Sequence, residues 1–314
     1  MNNSVEEGAV SEVVPEECAD IPEDETDLNF EFDRIKKIGN LSRFKQLRTL
    51  SYRNNLLTKI ENLSCLRNTL VELDLYNNQI PKIENLEELA MLEALDLSFN
   101  RIRKIENLAA LTNLKHLFLI HNRIEKIENL DTLVNLKSLE LGDNKIRKLE
   151  NLNSLVNLNY LFVGSNKLTK IENLDSLVNL KLLSMQCNWI KKIENLDNCV
   201  NLQEFYISDN GISVIEGLEK CTQLRTLDVS GNNIKELCDL SYLTNLEEFW
   251  FNKNKLDSVE KVSILANCPS LRTVYFEENN FDHRDVNYRR KVMLALPQVT
   301  QIDATVCKPN SDGD

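Results

Sequence analysis

From about residue 45 to residue 280 the apolar positions follow two rhythms in alternation, a spacing of two and then a spacing of three, and the whole phrase returns again and again. In residues 92–111 it reads Leu-Glu-Ala-Leu-Asp-Leu-Ser-Phe-Asn-Arg-Ile-Arg-Lys-Ile-Glu-Asn-Leu-Ala-Ala-Leu. The alternation around Leu95 and Leu97 predicts a short strand that sends those two leucines inward and leaves Ala94, Asp96 and Ser98 facing solvent. Ile102, Ile105, Leu108 and Leu111, three apart, suit a 3₁₀ or short helical return. Asparagine marks the phase at Asn55, Asn78, Asn100, Asn122, Asn144, Asn166, Asn188, Asn210, Asn232, Asn254 and Asn279, a step of 22 residues except 23 at the start and 25 at the end.

Each copy fits L-x-x-L-x-L-x-x-N-x-L with other apolar residues allowed for leucine, the leucine-rich-repeat signature. A degenerate copy precedes them, in which Leu28, Phe30, Ile35, Ile38 and Leu41 keep the pattern and Asp33 replaces the asparagine. The expected fold is α/β, a leucine-rich-repeat solenoid with a parallel sheet on its inner wall and 3₁₀ or short helical returns outside. Returns are wider than the roughly 4.8 Å between strands, so the stack curves into a horseshoe with the sheet concave. The asparagine should turn inward and satisfy backbone groups of neighbouring turns, a structural duty. The divisions read from the sequence are an acidic tail over 1–27, a solenoid of about 12 units over 28–281, a C-terminal cap over 282–305 and a frayed tail over 306–314. In the cap a helix from Tyr288 to Leu296 should let Val292, Leu296, Val299 and Ile302 close the last apolar column, with Arg289, Arg290 and Lys291 in water.

Charge changes this picture only at one end. Residues 1–33 hold twelve acids and no Lys or Arg, and the 49 acidic residues less those twelve equal the 37 basic ones. The net charge of -12 is therefore that of residues 1–33, and the rest of the chain is neutral as a whole, with no net field to gather nucleic acid or an anionic membrane. The tail reads as disordered, serving either solubility or contact with a basic partner. No signal peptide or membrane span is indicated. Eight scattered cysteines without a C-x-x-C pair agree with an intracellular address, in which the sequons at Asn2, Asn40 and Asn62 go unused. Cys199 and Cys221, one period apart, read as buried thiols in a leucine column.

Candidate chemistry is sparse. Of three histidines, His116 falls on a strand, His121 in the loop after it and His283 beyond the repeats, with no third ligand at a metal spacing. Eight glycines leave no phosphate-binding loop. The recurrent Lys-Ile-Glu-Asn, as at 104–107, reads as a solvated ladder of stacked charges. No catalytic residue, metal or cofactor is expected, and no enzyme.

The outward strand column carries the sharper signal. The residue four before each asparagine is, in order, Ser51, Asp74, Asp96, Phe118, Glu140, Phe162, Ser184, Tyr206, Asp228, Trp250 and, in the last unit, Tyr275. Five of these eleven are aromatic, at a position expected to face water. One explanation is that the rings shield strand backbone. The other is a protein-binding hot spot, since large aromatics interleaved with carboxylates fit a partner presenting Arg or Lys beside apolar pockets. Glu248, two before Trp250, extends the patch. Nucleic acid would need a basic track, and this wall is acidic.

The 22-residue units with Ile-Glu-Asn-Leu returns, Leu-Leu-Ser-Met-Gln at 182–186, Glu-Phe-Trp at 248–250 and Tyr-Arg-Arg-Lys-Val-Met-Leu-Ala-Leu-Pro at 288–297 closely resemble the nuclear leucine-rich-repeat regulatory subunits of protein phosphatase 1 over residues 28–305. The resemblance implies a non-catalytic subunit, monomeric on its own, gripping the phosphatase catalytic subunit with its concave face. Family contact positions fall on Asp96, Phe118, Glu140, Phe162, Asp228, Glu248, Trp250 and Tyr275. It further implies a nuclear and cytoplasmic location, a further inhibitory subunit in some assemblies, a metal-poor form of the phosphatase as the one held, and roles in chromosome segregation and cell polarity. Basic-Val-x-Phe docking motifs have near matches only at Lys261–Ile264, inside a return, and Arg272–Phe276, where Val274 and Phe276 should be core, so binding would rest on the folded solenoid. The rival reading is a ribonucleoprotein scaffold of spliceosomal type, binding another protein with the same repeat.

Overall fold

The computed structural model of the chain describes residues 20–281 and 287–307. Three-residue strands recur once per turn: β1 (Asp27–Asn29), β2 (Thr49–Ser51), β3 (Glu72–Asp74), β4 (Ala94–Asp96), β5 (His116–Phe118) and β6 (Ser138–Glu140). They continue as β7 (Tyr160–Phe162), β8 (Leu182–Ser184), β9 (Glu204–Tyr206), β10 (Thr226–Asp228), β11 (Glu248–Trp250) and β12 (Thr273–Tyr275). The cap adds helix α1 (Tyr288–Ala295), β13 (Gln301–Ile302) and β14 (Thr305–Val306). The fourteen strands among the described residues form one sheet in chain order. The pairs from β1 to β13 are parallel, and only β13 with β14 is antiparallel.

The core is a set of vertical columns, one per apolar position of the repeat. Leu95, Leu97, Ile102, Ile105, Leu108 and Leu111 are all fully buried, and so are their counterparts in the neighbouring turns. Each such side chain contributes about 1.5–3 kcal/mol relative to exposure. The degenerate first copy joins them through Leu28, Phe30, Ile35, Ile38 and Leu41. Asp33 does not take the asparagine's place, because it is exposed. Cys199 and Cys221 are buried with free thiols, as their place in the leucine column implies. Burial pushes the Cys199 thiol up to about 11 and Cys221 to about 12, so neither is a ready nucleophile.

The phase-marking asparagines carry the turns' polar bookkeeping. Asn100 accepts from the Ile80 amide on Oδ1 at 2.9 Å and donates through Nδ2 to the carbonyls of Leu75, Leu97 and Ser98 at 2.9, 3.1 and 3.1 Å. The set recurs at Asn122, Asn144 and Asn166, each with the same donors and acceptors one turn on.

The returns depart from expectation. Only Ser64–Leu66 and Val259–Asn267 are 3₁₀ among the described residues, and the other returns are successive turns. What holds them is a second asparagine ladder. The asparagine of Lys-Ile-Glu-Asn takes a left-handed conformation, φ 60° at Asn107, and donates to the Ile83 carbonyl of the previous turn at 2.7 Å. Asn85, Asn129, Asn151, Asn173 and Asn195 repeat this. A third ladder runs through Asn113, Asn135, Asn157, Asn179 and Asn201, each donating to a carbonyl of the previous turn. The tetrapeptide is therefore structural at its asparagine, and its charges stay largely unpaired, as the reading of a solvated ladder implies: of these lysines only Lys192 meets its glutamate, Glu194, at 3.9 Å.

Both ends of the array are covered. At the C-terminus Val292, Leu296, Val299 and Ile302 are buried as expected. Arg289 is not free in water, since its guanidinium donates to the Ile302 carbonyl at 2.7 Å. At the N-terminus the expected tail overlaps the folded part: β1 begins at Asp27, Ile21 packs against the core, and Arg43 donates to the Ile21 carbonyl at 2.9 Å. Residues 1–19, His283, Cys18 and the tail over 308–314 lie outside the described residues.

Candidate protein-binding surface

The sheet register puts the outward residues into one file. Asp74 pairs with Asp96, Asp96 with Phe118, Phe118 with Glu140, and Glu140 with Phe162. The file continues through Ser184, Tyr206 and Asp228 to Trp250 and Tyr275. The eight steps from β4 to β12 span about 38 Å at strand spacing. Seven of the eight candidate residues are members of this file, and Glu248 stands beside it in the neighbouring column of β11.

The C-terminal end is the most tightly organised. Trp250 stacks edge-on with Tyr275 at 5.5 Å and with Tyr206 at 6.3 Å. Its indole Nε1–H donates to Glu248 Oε2 at 3.1 Å, and the Tyr206 hydroxyl donates to Glu204 Oε2 at 2.7 Å. Gln301 of the cap donates to the Tyr275 hydroxyl at 3.0 Å. The Tyr206 hydroxyl is held well above its usual range, first by burial and then by the Glu204 bond. Asp228 lies between Tyr206 and Trp250 in the sheet register with only 5% of its surface exposed, and its Oδ1 accepts the Ser230 amide at 2.9 Å.

At the other end two carboxylates flank Phe118. Burial raises the Asp96 carboxyl above the ordinary carboxylate value, against the Ser98 amide that donates to its Oδ1 at 2.8 Å. Burial also raises Glu140, and the Asp96 charge adds to it. The two stand two strand steps apart, about 10 Å. This end also holds residues the sequence pattern did not single out. Arg53 pairs with Asp74 at 2.9 Å and lies 3.9 Å over the Tyr76 ring. Tyr76 meets Phe99 at a tilt at 4.9 Å, Phe99 stacks on His121 at 4.7 Å, and His121 Nδ1 bonds Asp143. Tyr76 lies two residues beyond the outward column of its turn, and Phe99 and His121 lie three beyond it in theirs, so the three do not share one position of the repeat.

Outward assignments are corrected at three positions, Ser98, Ser184 and Asp228, all of them buried. Ser98 is 1% exposed, because its hydroxyl turns along the stack and accepts the Ile120 amide at 3.3 Å. Ser184 is likewise buried, bonded through its hydroxyl to Gln186. Small hydroxyls in this sheet satisfy their neighbours, while the rings and, Asp228 excepted, the carboxylates from Asp96 to Tyr275 keep part of their surface open. His116 sits on β5 with its ring 6.3 Å from Phe118. Among the described residues no group of three His, Cys, Asp or Glu could hold a metal ion.

Comparison with known proteins agrees with this architecture. The pattern described as Leucine Rich repeats (2 copies) matches residues 91–132, 134–176 and 200–242. An internalin, InlF of Listeria monocytogenes, superimposes over 90% of this chain and 87% of its own with a TM-score of 0.71 at 23% identity, a likeness of fold. In sequence, 39 residues are 64% identical to the protein phosphatase 1 regulatory subunit SDS22 homolog of Caenorhabditis elegans, covering 12% of each chain. Fifty residues are 54% identical to protein phosphatase 1 regulatory subunit 7 of Homo sapiens, covering 16% of this chain and 14% of that one. The matched segments thus span about an eighth of the length of these curated relatives. The chain has the leucine-rich-repeat fold, and the relatives it resembles over short segments of sequence are named as regulatory subunits of protein phosphatase 1.

Proposed function

We propose that this protein is a non-catalytic regulatory subunit that binds the catalytic subunit of protein phosphatase 1 on the outward face of its sheet. The observation that carries the reading is the file of carboxylates and aromatic rings from Asp96 to Tyr275, interrupted only at Ser184. It is joined to relatives whose names are those of phosphatase regulatory subunits. Asp96, Phe118, Glu140, Phe162, Asp228, Glu248, Trp250 and Tyr275 are the contact residues of this proposal.

The chemistry suits a folded, basic partner. Trp250 and Tyr275 offer large rings already fixed by hydrogen bonds, which lowers the ordering cost of binding. Asp96 and Glu140 are carboxylates whose ionisation is disfavoured by burial, so a guanidinium or ammonium from a partner would relieve the cost they carry. A nuclear and cytoplasmic location, a single chain in the absence of the phosphatase, and a further inhibitory subunit in the assembly belong to the same proposal and rest on the resemblance.

Capture experiments test it. Immobilised protein should retain purified phosphatase catalytic subunit, supplied both metal-loaded and metal-depleted, and release it to free protein in competition. Failure to retain either form would remove the phosphatase from the account. Retention that depended on added RNA would instead favour the ribonucleoprotein reading.

A further inference from the structure

Beyond the C-terminal ends of the strands, the first, third and fourth residues after Asn100, Asn122, Asn144, Asn166 and Asn188 form a strip along one flank of the solenoid. Twelve of these fifteen residues are Lys or Arg, and the other three are Glu125, Thr169 and Trp189. The same three positions in the two preceding and three following turns hold four cations and two carboxylates, so the charge is confined to five consecutive turns. A charge needed for the repeat itself would recur in every turn.

The strip is built on rigid backbone and its charges are left uncompensated. The amides of Arg123, Lys145, Lys167 and Trp189 each donate to a carbonyl of the previous turn at 2.8 Å, holding successive side chains at roughly strand spacing. Elsewhere cations pair between turns, as Lys115 does with Glu93 at 2.8 Å and Lys261 with Glu236 at 2.7 Å. Within the strip only Lys192 has a carboxylate within 4.0 Å, Glu194 at 3.9 Å. At the last turn Trp189 stands 56% exposed among the lysines, a large ring without cover.

We propose that this flank binds an extended acidic peptide segment of a partner protein, with Trp189 as its apolar anchor. The occupant follows from the strip's borders. On the sheet side lie Asp96 and Glu140, and on the return side the glutamates Glu106, Glu128, Glu150 and Glu172, so a broad polyanion such as a duplex or a membrane would meet carboxylates on both sides. Single-stranded nucleic acid gains its affinity from rings under successive bases, and the strip offers one. A narrow chain of carboxylates or phosphorylated side chains fits between the borders and meets cations at twelve of the fifteen positions. The site is separate from the proposed phosphatase surface, and its test does not use the phosphatase.

In a Trp250→Phe background Trp189 is the single tryptophan of the chain, so its emission reports the strip directly. Titration with an oligoglutamate peptide should change that emission saturably and lose strength with added salt. The triple variant Arg101→Glu, Arg123→Glu, Lys145→Glu, altering exposed side chains only, should weaken binding at least tenfold with an unchanged melting temperature. An absent response, or equal binding by the triple variant, would overturn the proposal. Tighter binding of an oligothymidylate strand than of the peptide would overturn it in favour of nucleic acid.

Discussion

Trp250 donates its indole N–H to Glu248 two residues earlier on β11, at 3.1 Å, while its ring meets Tyr275 edge-on at 5.5 Å. The ring is therefore fixed on two sides before any partner arrives, and Glu248 holds it as well as offering a charge. Residues in one hydrogen-bonded unit do not act independently. In a double-mutant cycle of Glu248→Ala and Trp250→Ala, phosphatase affinity should show a coupling of about 0.5 kcal/mol or more. Additive losses would mean that Glu248 contributes only its own contact.

The inward asparagines should be costly to remove. Asn144 accepts the Ile124 amide at 3.0 Å and donates to Leu119, Leu141 and Gly142 at 2.9, 3.0 and 3.1 Å. Asn144→Ala strands several buried backbone groups at roughly 1–3 kcal/mol each. Denaturant unfolding should record a loss of about 3 kcal/mol or more, with affinity of the folded protein for its partner unchanged.

The second ladder separates two causes in one residue. Asn151 is left-handed, φ 58°, and makes one bond, to the Ile127 carbonyl at 2.7 Å. Two turns after the last such asparagine's predecessor the equivalent place is taken by Gly217, φ 68°, which meets the backbone demand without a side chain. Asn151→Gly should therefore cost only the bond, about 1 kcal/mol. Asn151→Ala adds left-handed strain of roughly 1–2 kcal/mol. Equal stability of the two variants would deny the backbone a part.

Asp96 gives the wall a pH signature. Burial raises its carboxyl above the ordinary value of 3.8, so ionisation costs the folded state more than the unfolded one. Below that ordinary value the group is neutral in both states and the cost is absent. It grows as pH rises from there through the folded value and is complete above it. Asp96→Asn stays neutral and can still accept the Ser98 amide. It should melt higher than the native protein at neutral pH and lose that advantage as the pH falls towards the ordinary value, measured by thermal unfolding across the range.

The periodicity made the strands, their register and the core columns legible, because Leu95 and Ile102 obey spacings that only one stacking satisfies. The file from Asp96 to Tyr275 was legible for the same reason. Ser98 was misread because alternation assigns a face and not a burial, and a small hydroxyl can be covered by the turns beside it. The returns were misread through Asn107, whose left-handed backbone and bond to Ile83 appear only when turns are stacked. The basic flank escaped for a related reason: Lys104 beside Glu106 looks balanced along the chain, but the stack sorts the two into separate columns.

The central claim is that the sheet face binds the phosphatase through Trp250. Calorimetric titration of the protein into purified phosphatase 1 catalytic subunit, beside a Trp250→Ala variant with an intact fold, tests it most directly. Binding should be saturable and weaken at least tenfold in the variant, about 1.4 kcal/mol. Equal affinity of the two proteins, or no binding by the native chain to metal-loaded or metal-depleted phosphatase, would contradict it.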